Sequence, residues 1–156
     1  MQATDDSSTD DETANDVETV LVGVDGSETA RRALGRALSL AEQYDASVFV
    51  LSVVDPDGTP LTFDVETVDE LEQTKRHLVD DIVAEYDSHT VEVKGAIRRG
   101  RPADVIRQFA ENHDVDLIVL GRSGHGPITE ALLGSTADRV IRTSSVPVVV
   151  VPEGDQ

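Results

Sequence analysis

Five short apolar runs punctuate the chain, and longer segments with apolar residues every three or four positions separate them. Val20-Leu21-Val22-Gly23-Val24 is a β-branched run ending at Asp25-Gly26-Ser27, which predicts a buried strand followed by a turn. Ser27 then precedes Glu28 and a helical stretch with Ala30, Leu34, Ala37, Leu38 and Ala41 on one face. Ala46 to Val54 predicts a second strand, closed by the turn signal Asp55-Pro56-Asp57-Gly58. Residues 64–86 predict a long helix from the spacing of Val65, Val68, Leu71, Leu78, Ile82 and Val83. Thr90 to Ile97 alternates as a strand. Arg101-Pro102 opens a helix through Val105, Ile106, Phe109 and Ala110, because the N–H that proline lacks would go unpaired in a first turn anyway. Asp116 to Leu120 predicts a fourth strand. A glycine-rich stretch follows, then a helix from near Ser135 and a fifth strand from Val146 to Val151.

The resulting alternation is β-α-β-α-β-α-β-α-β. Strands that are apolar throughout and separated by helices imply a five-stranded parallel α/β sheet with helices on both faces. No repeat at a solenoid period is visible. The 156 residues suit one domain with a core of its own. Residues 1–18 follow another pattern: Asp5, Asp6, Asp10, Asp11, Glu12, Asp16 and Glu18, with no basic residue and almost nothing apolar before Val17. Their composition predicts a disordered tail, either solvating or partner-binding, ahead of a domain at 19–152 and a short tail at 153–156.

Composition narrows the function classes. Cysteine is absent, which removes disulfides, thiolate metal sites and thiol nucleophiles. The start of the chain has neither the positive charge nor the apolar run of a secretory signal. No apolar stretch reaches the roughly 18 residues of a membrane helix, so a soluble, cytoplasmic protein is expected. The formal net charge of −18 would repel nucleic acid and anionic membranes. Lys75 and Lys94 are the only lysines against eleven arginines. Such an acidic, lysine-poor composition reads as halophilic, since molar salt shortens self-repulsion to about 3 Å. An acidic protein of an ordinary cytoplasm is the other reading.

In an open parallel sheet, ligands sit beyond the carboxyl ends of the strands where the strand order reverses. Asp25-Gly26-Ser27 falls at one such end, and the stretch from Gly121 to Ser135 at another. Gly121 and Gly124 are expected to allow positive φ and a close approach of amides to an anion. Gly134-Ser135, with Asp138 three residues on, predicts a serine N-cap whose free amides and helix dipole suit a phosphate. A tight structural turn is the plainer reading. The loop is no Walker A sequence, for it holds no lysine, and no dinucleotide fingerprint, which would follow the first strand. Arg122 either reaches a phosphate or lies solvated on the surface, and His125 is either a proton shuttle or an exposed loop histidine. His77, His89 and His113 have no metal-ligand spacing. Arg98, Arg99 and Arg101 form a short basic patch, either solvated or paired with acids.

The spacing Gly-x2-Gly-x9-Gly-Ser at Gly121, Gly124, Gly134 and Ser135 resembles the universal stress protein family. The flanks Asp116–Gly121 and Ser145–Val151 agree with it, as does the opening Val22-Gly23-Val24-Asp25-Gly26-Ser27. The resemblance covers residues 19–152. It implies a Rossmann-like sheet of order 3-2-1-4-5 and binding of ATP, with Mg²⁺ held through the phosphates. In this reading Asp25 accepts from the ribose hydroxyls and Val53 meets the adenine. Gly23, Val24 and Leu120 line the base pocket. Gly121, Gly124, Gly134, Ser135 and Thr136 hold the phosphates, with Arg122 as a further candidate. His125-Gly126-Pro127 departs from the usual loop tip. The implied role is regulatory. Slow ATP hydrolysis is the enzymatic alternative, although no base or lysine is placed for it, and a dimer without nucleotide is the third. The resemblance also implies a homodimer through 146–151, a strand whose apolar edge invites another chain. The plainer reading is an edge covered by its own helices.

Overall fold

A computed structural model of the chain describes residues 16–56, 65–122 and 133–152. The described strands are β1 (Thr19–Gly23), β2 (Ser47–Val54), β3 (Val93–Arg99), β4 (Leu117–Gly121) and β5 (Val148–Val151). The helices between them are α1 (Glu28–Tyr44), α2 (Val65–Glu85), α3 (Pro102–Asn112) and α4 (Ser135–Thr143). All strand pairs are parallel and the order is β3-β2-β1-β4-β5. The predicted alternation, the parallel sheet and the order 3-2-1-4-5 all hold.

The alternation of side chains along the strands divides the core in two. Val20, Val22, Val48, Val50 and Val119 point to one face, where Ala33, Leu34, Ala37, Leu38 and Ala41 of α1 and Val79 of α2 cover them. Leu21, Leu51, Ile118 and Leu120 point to the other, against Ile106, Phe109 and Ala110 of α3 and Val140 of α4. Both faces of the central strands are therefore apolar, which is why their sequence shows continuous runs and not alternation.

Several boundaries move. β3 begins at Val93 and not Thr90, since the turn before it is held by His89, whose Nδ1 accepts from the Val91 amide at 3.2 Å. β5 begins at Val148 and not Val146. Pro147 contributes only its carbonyl, which accepts from Ile118 at 2.9 Å, and Ser144 Oγ accepts from the Val146 amide. Val17 packs against the core, and the Glu18 and Thr19 amides donate to Asp116 Oδ2 at 2.9 and 3.1 Å. The readings made for residues 1–15 and 153–156 lie outside the described residues.

Candidate functional site

The chain leaves β1 through α1 toward β2 on one side, and β4 returns on the other side of β1. The reversal therefore falls between β1 and β4. Beyond their carboxyl ends lie Gly23, Val24 and Asp25 from β1 and Leu120, Gly121 and Arg122 from β4, with Val53 near the end of the neighbouring β2. The fold thus gathers these candidates at one end of the sheet. Gly124 and His125 lie outside the described residues.

The β1 end is a compact turn. The Ser27 amide donates to Asp25 Oδ1 at 2.9 Å, and Ser27 Oγ caps α1 by accepting from the Ala30 amide at 3.1 Å. Gly26 makes the bend with φ +86°, a conformation side chains disfavour. Asp25 is half-buried. The Val24 amide is already bonded to the Leu51 carbonyl at 2.9 Å, so the buried Val24 offers apolar surface and not a donor. Leu120 is buried on the α3–α4 face and Val53 is half-buried on that same face.

The β4 end is pinned from both sides. The Arg122 amide donates to the Val151 carbonyl at 2.8 Å, and the Arg122 carbonyl accepts from the Gly134 amide at 2.6 Å. This second bond closes the neck of the connection to α4 and brings Gly134 beside the end of β4. Gly134, not Ser135, is the N-cap of α4; it has extended φ −65° and ψ 158° and makes no side-chain cap bond. The expected serine N-cap is therefore corrected: Ser135 is the first helical residue, and its hydroxyl does not cap the helix. Asp138 donates its amide to the Gly134 carbonyl and pairs its carboxylate with Arg142 at 2.9 Å, so it does not complete a capping box. Among the described residues no side chain caps the first amides of α4, and Ser135 is exposed while Thr136 is half-buried.

Gly121 is needed for a reason beyond those expected, and the expected positive φ is not found. A Cβ there would lie 2.6 Å from Thr29 Cγ2 and 3.1 Å from the Thr29 carbonyl carbon and oxygen. The first turn of α1 presses directly on the end of β4, and only glycine leaves room. The buried Thr29 belongs to the local architecture although the sequence did not single it out. Ala30 on the helical face and Gly121 on the next strand end were the available signals, and pairing them requires the strand order.

Arg122 has a further peculiarity. Its Nε is sealed from solvent and has no hydrogen-bond acceptor, while the residue as a whole is half-buried. The patch at 98–101 resolves differently. Arg99 pairs with Glu72 at 2.7 Å and Asp69 at 3.1 Å, which raises its own pKa and holds the Glu72 carboxyl below its usual range. Arg98 lies 5.2 Å over the Phe109 ring. Among the described residues no group of three or more His, Cys, Asp or Glu is placed to hold a metal ion, and no helix is long and apolar enough to cross a membrane.

Comparison with known proteins agrees with this geometry. The model of the universal stress protein family matches residues 17–152. A universal stress protein of Methanocaldococcus jannaschii is 32% identical over 136 residues, covering 85% of this chain and 80% of that protein. Among solved structures, a universal stress protein from Lactobacillus plantarum superposes with a TM-score of 0.74 at 26% identity, covering 86% of this chain and 97% of that one. One from Archaeoglobus fulgidus, solved in complex with dAMP, shares the fold with a TM-score of 0.64 at 24% identity, covering 87% and 98%. The chain belongs to the universal stress protein family.

Proposed function

We propose that this protein binds an adenine nucleotide, ATP with Mg²⁺, across the carboxyl ends of β1 and β4 and acts as a regulatory component of a stress response. The observation that carries the reading is the neck bond from the Gly134 amide to the Arg122 carbonyl, which sets the uncapped start of α4 beside the switch point. The unpaired amides and positive dipole end of a helix favour phosphate, and the sealed Nε of Arg122 adds a cation without an acceptor. Asp25 supplies a carboxylate for ribose hydroxyls at the adjacent strand end. The residues present therefore fit a nucleotide. Mg²⁺ would be held by phosphate oxygens, since the described residues offer no carboxylate cluster for it. That an Archaeoglobus fulgidus member of the fold takes up dAMP is in keeping with this reading. A cytoplasmic setting, where ATP is at hand, and a high-salt interior suited to the charge of −18 complete it.

Calorimetric titration with ATP–Mg²⁺ in molar salt should give a saturable heat and a raised unfolding temperature; neither heat nor shift overturns the reading. Gly124→Val and Gly134→Val should each weaken binding at least about tenfold, as expected when the amides lose their approach to a charged group.

A homodimer through β5 is a second reading favoured by the strand itself. β5 is an edge strand of four valines, three of them only half-buried. Light scattering in molar salt should return twice the chain mass, and a strict monomer counts against pairing.

A further inference from the structure

We propose that Arg122 is the residue that selects ligands by charge at this site, favouring phosphorylated over unphosphorylated ligands; the inference rests on the nucleotide reading above. Three observations support it. The backbone of Arg122 is held on both sides, by the Val151 carbonyl and the Gly134 amide, so the root of the side chain cannot drift. Its Nε–H is sealed from solvent without an acceptor, which costs free energy that a solvated surface arginine would avoid. No described acid pairs with it, although the chain has 31 acids against 13 Lys and Arg, whereas on the neighbouring α3 and α4 Arg107 and Arg139 share Asp104 and Arg142 takes Asp138.

Strand alternation explains where this cation sits. Leu120 faces α3 and α4, Gly121 faces α1, and Arg122 returns to the α3–α4 side, where α4 begins. A guanidinium anchored beside an uncapped helix start gives the site two independent sources of positive potential. An anionic group meets both, and a neutral ligand of the same shape meets neither. An unpaired, partly desolvated cation destabilises the free protein and strengthens the complex, so the preference for anions is paid out of folding stability.

The test uses the full chain, Arg122→Met, which keeps the length of the stem, and Arg122→Lys, which keeps the charge without the planar fork. Adenosine, AMP, ATP–Mg²⁺ and inorganic pyrophosphate are titrated at one salt concentration, with unfolding temperatures measured alongside. The wild type should prefer AMP to adenosine. Arg122→Met should shrink that preference about tenfold or more, the fold-change of one charge-assisted hydrogen bond, and leave adenosine affinity unchanged. Its unfolding temperature without ligand should equal or exceed the wild type's. Arg122→Lys should fall between the two. An unchanged AMP-to-adenosine ratio in Arg122→Met overturns the inference, as does an equal loss for both ligands or a lowered ligand-free unfolding temperature, which mark a solvated or a structural arginine. Should the wild type bind no adenine compound, the nucleotide reading fails separately. The pyrophosphate arm still decides the role of Arg122: a thermal shift lost in Arg122→Met supports it, and no shift in the wild type overturns it.

Discussion

The two ends of the sheet are built on opposite principles. At the amino ends of the strands, polar backbone groups find partners close by. Asp116 Oδ2 takes the amides of Glu18 and Thr19, the Asp116 amide donates to the Thr19 carbonyl, and the Ser47 amide donates to the Glu18 carbonyl. α1 ends on Asp45 in the left-handed conformation at φ 58°, with its amide and that of Ala46 folded back onto the last turn. Asp114, at φ 52°, and the bond from Val115 to Ala110 do the same after α3. At the carboxyl ends, Gly26 bends the chain, α4 starts without a side-chain cap, and Arg122 Nε and the wholly buried Ser52 Oγ have no partner. Parallel βα units direct every helix N-terminus to the same end of the sheet. One end can therefore be closed for stability while the other keeps donors in reserve for a ligand.

The sharpest way to break this division is Gly121→Val, because Gly121 serves both purposes. The added side chain would collide with Thr29, including its backbone, and the helix start cannot yield without lifting α1 from the sheet. We expect a loss of about 3 kcal/mol or more, at the upper end of overpacking, read by denaturant unfolding, together with loss of ATP binding. A stable variant would show that α1 and β4 are not pressed together as described.

Asp116→Ala tests the closed end alone. Removing a carboxylate that accepts two backbone amides should cost about 1.5–3 kcal/mol, the range for hydrogen bonds to a charged group. Affinity for ATP at a temperature where the variant is folded should not change. A binding defect would mean the two ends are coupled through β1 and β4.

Ser27→Ala should act on both properties, but weakly. Losing the cap on the Ala30 amide costs about 1 kcal/mol, whereas Ser27→Gly costs only a few tenths. The Ser27 amide to Asp25 survives in both variants, so the turn persists, and a fall in ATP affinity should accompany the alanine variant more than the glycine one.

Much of the closed, repetitive part of this design was legible in the chain. Val20–Val24 and Leu117–Leu120 are apolar throughout because both sheet faces are covered, and that pattern does not depend on knowing the partners. The same independence let Ala30, Leu34, Ala37, Leu38 and Ala41 be read as one buried helix face. The candidate site was legible only as a spacing. Gly121 was expected to serve positive φ and the approach of an anion; its φ is not positive, and the room it leaves for Thr29 was not foreseen, because Thr29 is distant in sequence and becomes adjacent only through the strand order. Ser135 was expected to cap α4, but Gly134, bonded to the end of β4 through the Arg122 carbonyl, takes the N-cap position. Asp116 was counted within a strand, although its side chain fastens the foot of β1. Each of these depends on a contact between segments, which neither periodicity nor propensity encodes.

The smallest expected effect concerns how the carboxyl end holds together away from the ligand. There Arg99 of β3 ties α2 through Glu72 and Asp69, an exposed electrostatic link. Hydrogen bonding from Arg99, followed by the attraction of its charge, lowers the Glu72 pKa. A depressed carboxyl contributes stability that is present above its unfolded value of about 4.3 and is lost as pH falls through the lower folded value. The wild type should therefore lose slightly more stability than Glu72→Gln between neutral and acid pH, and the difference should shrink in molar salt. Hydrogen exchange can localise it: the amides of Arg98 to Gly100 should gain exchange in acid before those of Val48 and Val93 at the foot of the same strand pair. Equal acceleration at both ends would show that the carboxyl end is no looser than the amino end, and the comparison would lose its energetic basis.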